Sequence, residues 1–144
     1  ITIDLNTPNL IGDVTAEQKR KLEKRESAGL DPALAELIAA SGSAKEGFKK
    51  VKKTKQTEYV AEIMNHIEKA KLGVNLTVDF VENKGFEYHD LFSFSLFAAN
   101  VRDELGRGGR YNIGGLSATG VTVYVNSFID RMPAPPKVKA TKKL

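Results

Sequence analysis

The hydrophobic pattern of this chain changes period near Gly73, and that change limits what it can fold into. Between residues 57 and 72, Tyr59, Val60, Ile63, Met64 and Ile67 recur at the spacing of one helix face. From Leu76 the pattern alternates. Leu76, Val78 and Phe80 share one side of an extended chain, and Thr77 and Asp79 share the other. Helices first and strands afterwards predict an α+β fold, with a helical N-terminal half and a mainly antiparallel sheet.

Local signals place the helices. Thr15 caps "AEQKRKLEKRESAG", which Gly29 ends; its one strong apolar residue, Leu22, predicts a surface helix. Asp31 before Pro32 opens "ALAELIAASG", with Leu34, Leu37 and Ile38 on one face and Gly42 as the stop. A third helix is expected over Lys45 to Lys53, buried through Phe48 and Val51, and a fourth from about Thr57 to Leu72, ended by Gly73. In the second half, Phe92, Phe94, Leu96 and Ala98 alternate with Ser93, Ser95 and Phe97, so the two phenylalanines read as core. Val121, Val123 and Val125 oppose Thr122 and Tyr124 in a further strand. "NSFIDRM" then predicts a short helix burying Phe128, Ile129 and Met132, stopped by Pro133, Pro135 and Pro136. The strands' second faces carry Ser, Thr and Asp: either plain solvent-facing surface or the floor of a binding site.

Composition narrows the function classes. The chain has 144 residues and no cysteine, so disulfides and thiolate metal sites are excluded. With only His66 and His89, no metal site is expected, and His66 reads as surface. No apolar run approaches the roughly 20 residues of a membrane span. "ITIDLN" lacks the basic-then-apolar form of a signal peptide, and the absence of cysteine fits the expectation of a cytoplasmic protein. It also lacks an initiator methionine, so processing or a fragment is open. The net charge of +4 is unevenly placed. Six lysines lie in Lys45–Lys55 and four in the tail from Lys137; without them and Glu46, the rest holds 12 basic against 17 acidic residues, a net of −5. Such clusters either meet nucleic-acid phosphates or form a solvated helix face and a disordered tail. Aromatics hardly interleave them, so nucleic acid is not the expected partner.

"GRGGRYN", residues 106 to 112, sets bare backbone beside two arginines. Glycine lets a ligand approach the main chain, and arginine matches carboxylate or phosphate. The run fits neither the dinucleotide-binding nor the P-loop pattern. Taken alone it reads as an ordinary turn or an anion cradle.

Three segments then fall in a telling order. "NKGFEYHD" (83–90) lies between two strands, "RGGRYN" (107–112) follows the second, and "ATGVTVYVNSF" (118–128) runs from strand into the last helix. This order resembles the C-terminal part of the histidyl-tRNA synthetase catalytic core, a class II aminoacyl-tRNA synthetase core. It is more similar to the non-catalytic relatives of that enzyme, the regulatory subunits of ATP phosphoribosyltransferase. The resemblance divides the chain into a helical insertion-like region (1–73), the C-terminal part of the synthetase-like core (74–132) and a Pro/Lys-rich tail expected to be disordered (133–144).

In that family the first motif is close to Arg-Gly/Asn-Leu-Asp-Tyr-Tyr-Thr-Gly and lines the histidine pocket. Here Lys84 stands at the arginine, Gly85 next, Phe86 for leucine and Glu87 for aspartate. Tyr88 matches, His89 takes the second tyrosine, and Asp90 and Leu91 replace Thr-Gly. The second motif is Gly-Gly-Gly-Arg-Tyr-Asp. Arg107 takes its first position, Gly108, Gly109, Arg110 and Tyr111 match, and Asn112 replaces aspartate. The glycine run then resembles a histidine-pocket loop. The third motif ends in Gly-Leu-Glu-Arg in synthetases, whose arginine contacts ATP. Here it is Tyr124, Val125, Asn126 and Ser127, and serine carries no charge to phosphate.

The resemblance therefore implies a regulator without catalytic residues or cofactor. It would assemble with the short-form ATP phosphoribosyltransferase catalytic subunit, in the first step of histidine biosynthesis, and sense histidine. It implies histidine contacts through Glu87 to the ammonium, Tyr88, His89 and Tyr111 to the imidazole, and Lys84 or Arg110 to the carboxylate. A pocket whose residues now only pack is the alternative. Missing sheet neighbours would leave an open edge and favour self-association. The other readings are a fragment of a histidyl-tRNA synthetase and a nucleic-acid-binding module using Lys45–Lys55.

Overall fold

A computed structural model describes residues 1–82, 89–98 and 104–129. The chain opens with strand β1 (Thr2–Asn6), followed by helices α1 (Ala16–Glu23) and α2 (Pro32–Ala40). A two-residue strand, β2 (Gly42–Ser43), leads into α3 (Ala44–Lys50) and α4 (Lys55–Lys69). Then come β3 (Asn75–Asp79), β4 (His89–Phe97), β5 (Glu104–Ile113), β6 (Leu116–Val123) and the short helix α5 (Val125–Ile129). The strands form one sheet in the order β2-β3-β1-β4-β5-β6. All neighbours are antiparallel except β1 and β3. The α+β class with a mainly antiparallel sheet is what the sequence predicts.

The helix starts follow their caps. Thr15 and Gln18 form a reciprocal capping box, as do Thr54 and Thr57, and the Asp31 carboxylate accepts from the Ala33 amide. The first helix ends at Glu23, short of Gly29, because Arg25 adopts a left-handed φ of 57°. Its side chain ion-pairs with Asp79 and Glu82, tying the end of α1 to the sheet. Leu22 is the single buried residue of α1, as a surface helix requires.

The core lies where α2, α3 and α4 cover one sheet face. Leu5, Ala40, Ala44, Val60, Met64, Val78, Phe80 and Phe92 are buried there, with Phe48 packed edge-on to Phe80 at 5.4 Å. Tyr59, Ile63 and Ile67 complete the apolar stripe of α4 against this cluster.

Three sequence expectations change. Thr2–Asn6, not among the expected strands, pairs with both β3 and β4 and sits mid-sheet. The glycine run reads as a turn or loop, yet it is the middle of β5. Val121, Val123 and Val125, and Ile129 expected inside, are exposed, because β6 is the edge strand and α5 buries none of its residues. Met132 and the 133–144 tail lie outside the described residues.

Candidate functional site

Register places the polar residues of three strands together. His89 pairs with Tyr111, Ser93 with Gly109 and Ser95 with Arg107 across β4 and β5. Arg107 pairs with Thr122, Gly109 with Gly120 and Tyr111 with Ala118 across β5 and β6. Paired residues share a face. These therefore lie on the face opposite Phe92 and Phe94, which pack toward the helices. The polar face continues onto β1, where Asn6 pairs with Ser93 and Asp4 with Ser95.

On this face a cavity of about 440 Å³ is lined by His89, Arg107, Tyr111, Asn112, Gly120 and Thr122, among others. The volume is in the range of small-molecule sites. Its shape depends on missing side chains. A Cβ on Gly120 would lie 3.4 Å from the Tyr111 ring and hydroxyl, so the tyrosine lies against bare backbone. A Cβ on Gly109 would lie 3.0 Å from His89 Cδ2 and 2.9 Å from Ser93 Cα. On the reverse face, a Cβ on Gly108 would lie 2.8 Å from Phe94 Cζ, so that glycine serves the core. The glycine amides belong to the ladders with β4 and β6 rather than to an open anion cradle.

The cavity's charges are set by neighbours. Arg107 donates from Nε to Glu104 Oε2 at 2.9 Å and from Nη2 to Oε1 at 2.5 Å, and these bonds raise the already high pKa of the guanidinium. His89 is 6% exposed. Burial, and then the Arg107 charge, push its imidazole below its ordinary 6.5, against a smaller opposing effect from Asp90. A neutral ring follows at pH 7. On the neighbouring strand, burial raises the Asp4 carboxyl, partly offset by hydrogen bonds from Thr77 Oγ1 at 2.6 Å and Asn6 Nδ2 at 3.0 Å.

Of the residues the sequence singles out, His89 and Tyr111 meet at the cavity. Arg110 is elsewhere: its Nε donates to Ser117 Oγ at 2.8 Å, lies 3.8 Å from Asp90 Oδ1, and its guanidinium stacks 5.4 Å over the Tyr59 ring of α4. Lys84, Glu87 and Tyr88 lie outside the described residues. The pairing of Arg107 with Glu104 escapes the sequence reading, since residues three apart in a regular strand face opposite ways. Among the described residues, no three His, Asp or Glu side chains converge to hold a metal ion. No described helix is long and apolar enough to cross a membrane. The six lysines of Lys45–Lys55 are exposed across α3, the following loop and the start of α4.

The profile described as histidyl-tRNA synthetase matches residues 8–128. This chain belongs to the histidyl-tRNA synthetase family. Among curated members, it is 32% identical over 96% of its length to an ATP phosphoribosyltransferase regulatory subunit of Paramagnetospirillum magneticum, and spans 43% of that protein. It is 33% identical over 94% of its length to a protein of the same name in Rhodospirillum centenum, spanning 42% of it. The chain thus spans less than half the length of these family members. A solved ATP phosphoribosyltransferase regulatory subunit/histidyl-tRNA synthetase from Bacillus halodurans C shares the fold, with a TM-score of 0.60 over 90% of this chain and 43% of that one, at 18% identity. The names of these family members agree with the resemblance seen in the motifs.

Proposed function

We propose that this chain is part of a regulatory subunit of ATP phosphoribosyltransferase, that it acts in the cytoplasm and that it performs no catalysis itself. The observation that carries this reading is identity of 32% along 96% of the chain to a protein of that name. The partner is the short-form catalytic subunit, and the effect is to support its activity in the first step of histidine biosynthesis. Ser127, within α5, supports a non-catalytic role, because the synthetase arginine that contacts ATP is replaced by an uncharged side chain. Losing such an electrostatic contact costs about a hundredfold or more in rate.

The cavity on the polar sheet face is the histidine site in this reading. His89 and Tyr111 flank the imidazole; the motif resemblance assigns Tyr88 to the imidazole as well, Glu87 to the ammonium and Lys84 or Arg110 to the carboxylate. Feedback requires histidine to bind one state of the complex better than the other. Self-association fits the β6 edge, whose eight residues carry no charge and expose Leu116, Val121 and Val123. Val121→Lys is then expected to abolish any concentration-dependent sedimentation.

The test mixes the chain with a short-form catalytic subunit and follows phosphoribosyl-ATP formation, with and without histidine. A rate increase on adding the chain, reduced by histidine, is expected. No increase, either with this chain or with an upstream-extended form, overturns the regulator reading. ATP–pyrophosphate exchange by the chain would overturn its non-catalytic part.

A further inference from the structure

The two arginines of β5 are committed differently. Arg110 is occupied on the helix side by Ser117, Asp90 and Tyr59. Arg107 lies on the cavity side, where Glu104 bonds it through Nε and Nη2, and Tyr124 and the Glu82 carboxylate add smaller electrostatic attractions. A guanidinium presents five N–H groups in a flat fork. Glu104 takes one edge, and no hydrogen bond among the described residues claims the Nη1 edge.

A bulge makes this pairing possible. Leu96 pairs with Gly106 but Phe97 with Glu104, leaving Leu105 as an extra residue in β5. The extra residue turns Glu104 onto the same side as Arg107. Glu104 therefore fixes the orientation of the guanidinium, and its side chain is 23% exposed, against 21% for Arg107. A part-buried arginine steadied on one edge by a carboxylate is preorganised to accept a second carboxylate on the other.

We propose that Arg107, positioned by Glu104, is the carboxylate anchor of the cavity. The ligand class is a free α-amino acid whose carboxylate meets the Nη1 edge of Arg107 while its side chain lies against Tyr111 and His89. A nucleotide phosphate fits less well: the β5 amides are spent in strand pairing, and Glu104 would repel a doubly charged group. The inference rests on the histidine-site reading above and replaces Arg110 by Arg107 in the carboxylate role.

The test is calorimetric titration of this chain with L-histidine and with histamine, which keeps the ring and amine but has no carboxylate. The unaltered protein is expected to prefer histidine. Arg107→Gln is expected to lose histidine affinity about tenfold to a hundredfold, the scale of one charged hydrogen-bonded contact, with histamine affinity unchanged. Arg107→Lys should recover only part of the loss, because it keeps charge without the fork. Glu104→Gln should weaken histidine binding less than Arg107→Gln does. Equal histidine binding by the unaltered protein and Arg107→Gln overturns the anchor and leaves the histidine site standing. Equal affinity of the unaltered protein for histidine and histamine does the same. No binding of either compound overturns the site and the anchor together. If circular dichroism shows Arg107→Gln unfolded, Arg107→Lys and Glu104→Gln decide: unchanged histidine affinity in both overturns the anchor.

Discussion

Gly109→Ala is a single-methyl probe of how β5 is built. The added carbon would point at β4, 2.9 Å from Ser93 Cα and 3.0 Å from His89 Cδ2, and would also meet the Phe92 carbonyl oxygen. The imidazole can give, but the two backbone atoms belong to a strand paired on both sides. Relief requires the strands to part, so the insertion should cost about 1–3 kcal/mol. Alanine returns about 0.4–1 kcal/mol by stiffening the unfolded chain. The net expected loss is about 1–2 kcal/mol. With a urea dependence of about 2 kcal/mol/M, the unfolding midpoint should fall by about 0.5–1 M. Gly120→Ala is the control. Its new carbon would first meet the Tyr111 side chain at 3.4 Å, an ordinary contact on an edge strand, so stability should stay within about 0.5 kcal/mol. Gly120→Ala should instead narrow the cavity and weaken histidine binding. Urea titration followed by circular dichroism separates the two. If both variants unfold at the wild-type midpoint, or both shift equally, close strand approach is not why Gly109 lacks a side chain.

Further outcomes follow from the core, a cap and the buried imidazole. Phe80→Ala removes a fully buried ring that packs edge-on against Phe48, and should cost about 3–5 kcal/mol in the same urea assay. A loss under about 1 kcal/mol would mean the sheet–helix core is not centred there. Thr54→Ala opens the capping box of α4 and should cost about 1 kcal/mol, whereas Thr57 as the substituted partner also loses a bond to the Lys52 carbonyl and should cost more. The imidazole of His89 titrates below 6.5 when folded, so the unfolded chain binds the proton first. Its contribution is complete above pH 6.5 and is lost as pH falls through the lower folded value. Melting temperature should therefore drop on acidification through this window, and less so in His89→Gln. Asp4, raised when folded, acts oppositely: its contribution grows as pH falls from its folded value toward 3.8. Identical pH profiles for the parent and His89→Gln would remove His89 as the cause.

Much of this protein is written locally. Thr15, Asp31 and Thr54 mark helix starts because their side chains satisfy free amides within three residues. The stripe on α4 and the alternation around Val78 and Phe94 report burial directly, since side-chain period and backbone geometry are coupled. The motif order around His89 and Tyr111 is likewise a property of the linear sequence, and so is the serine at position 127. Other features arise only when distant segments meet. Ile1, Ile3 and Leu5 alternate with Thr2, Asp4 and Asn6, a local strand signal, but only pairing with β3 and β4 on both sides makes Thr2–Asn6 a central strand. Gly106, Gly108 and Gly109 have no side chains to alternate, so a strand built on them is invisible to periodicity. Neighbouring atoms require that bareness: the Phe94 ring at Gly108, and the Ser93 backbone at Gly109. The sheet also sorts Arg107 and Arg110 onto opposite faces, and one extra residue, Leu105, brings Glu104 round to Arg107. The residue types in the site were legible in the sequence; which of them share a cavity depended on strand register, a long-range pairing that only the folded sheet establishes.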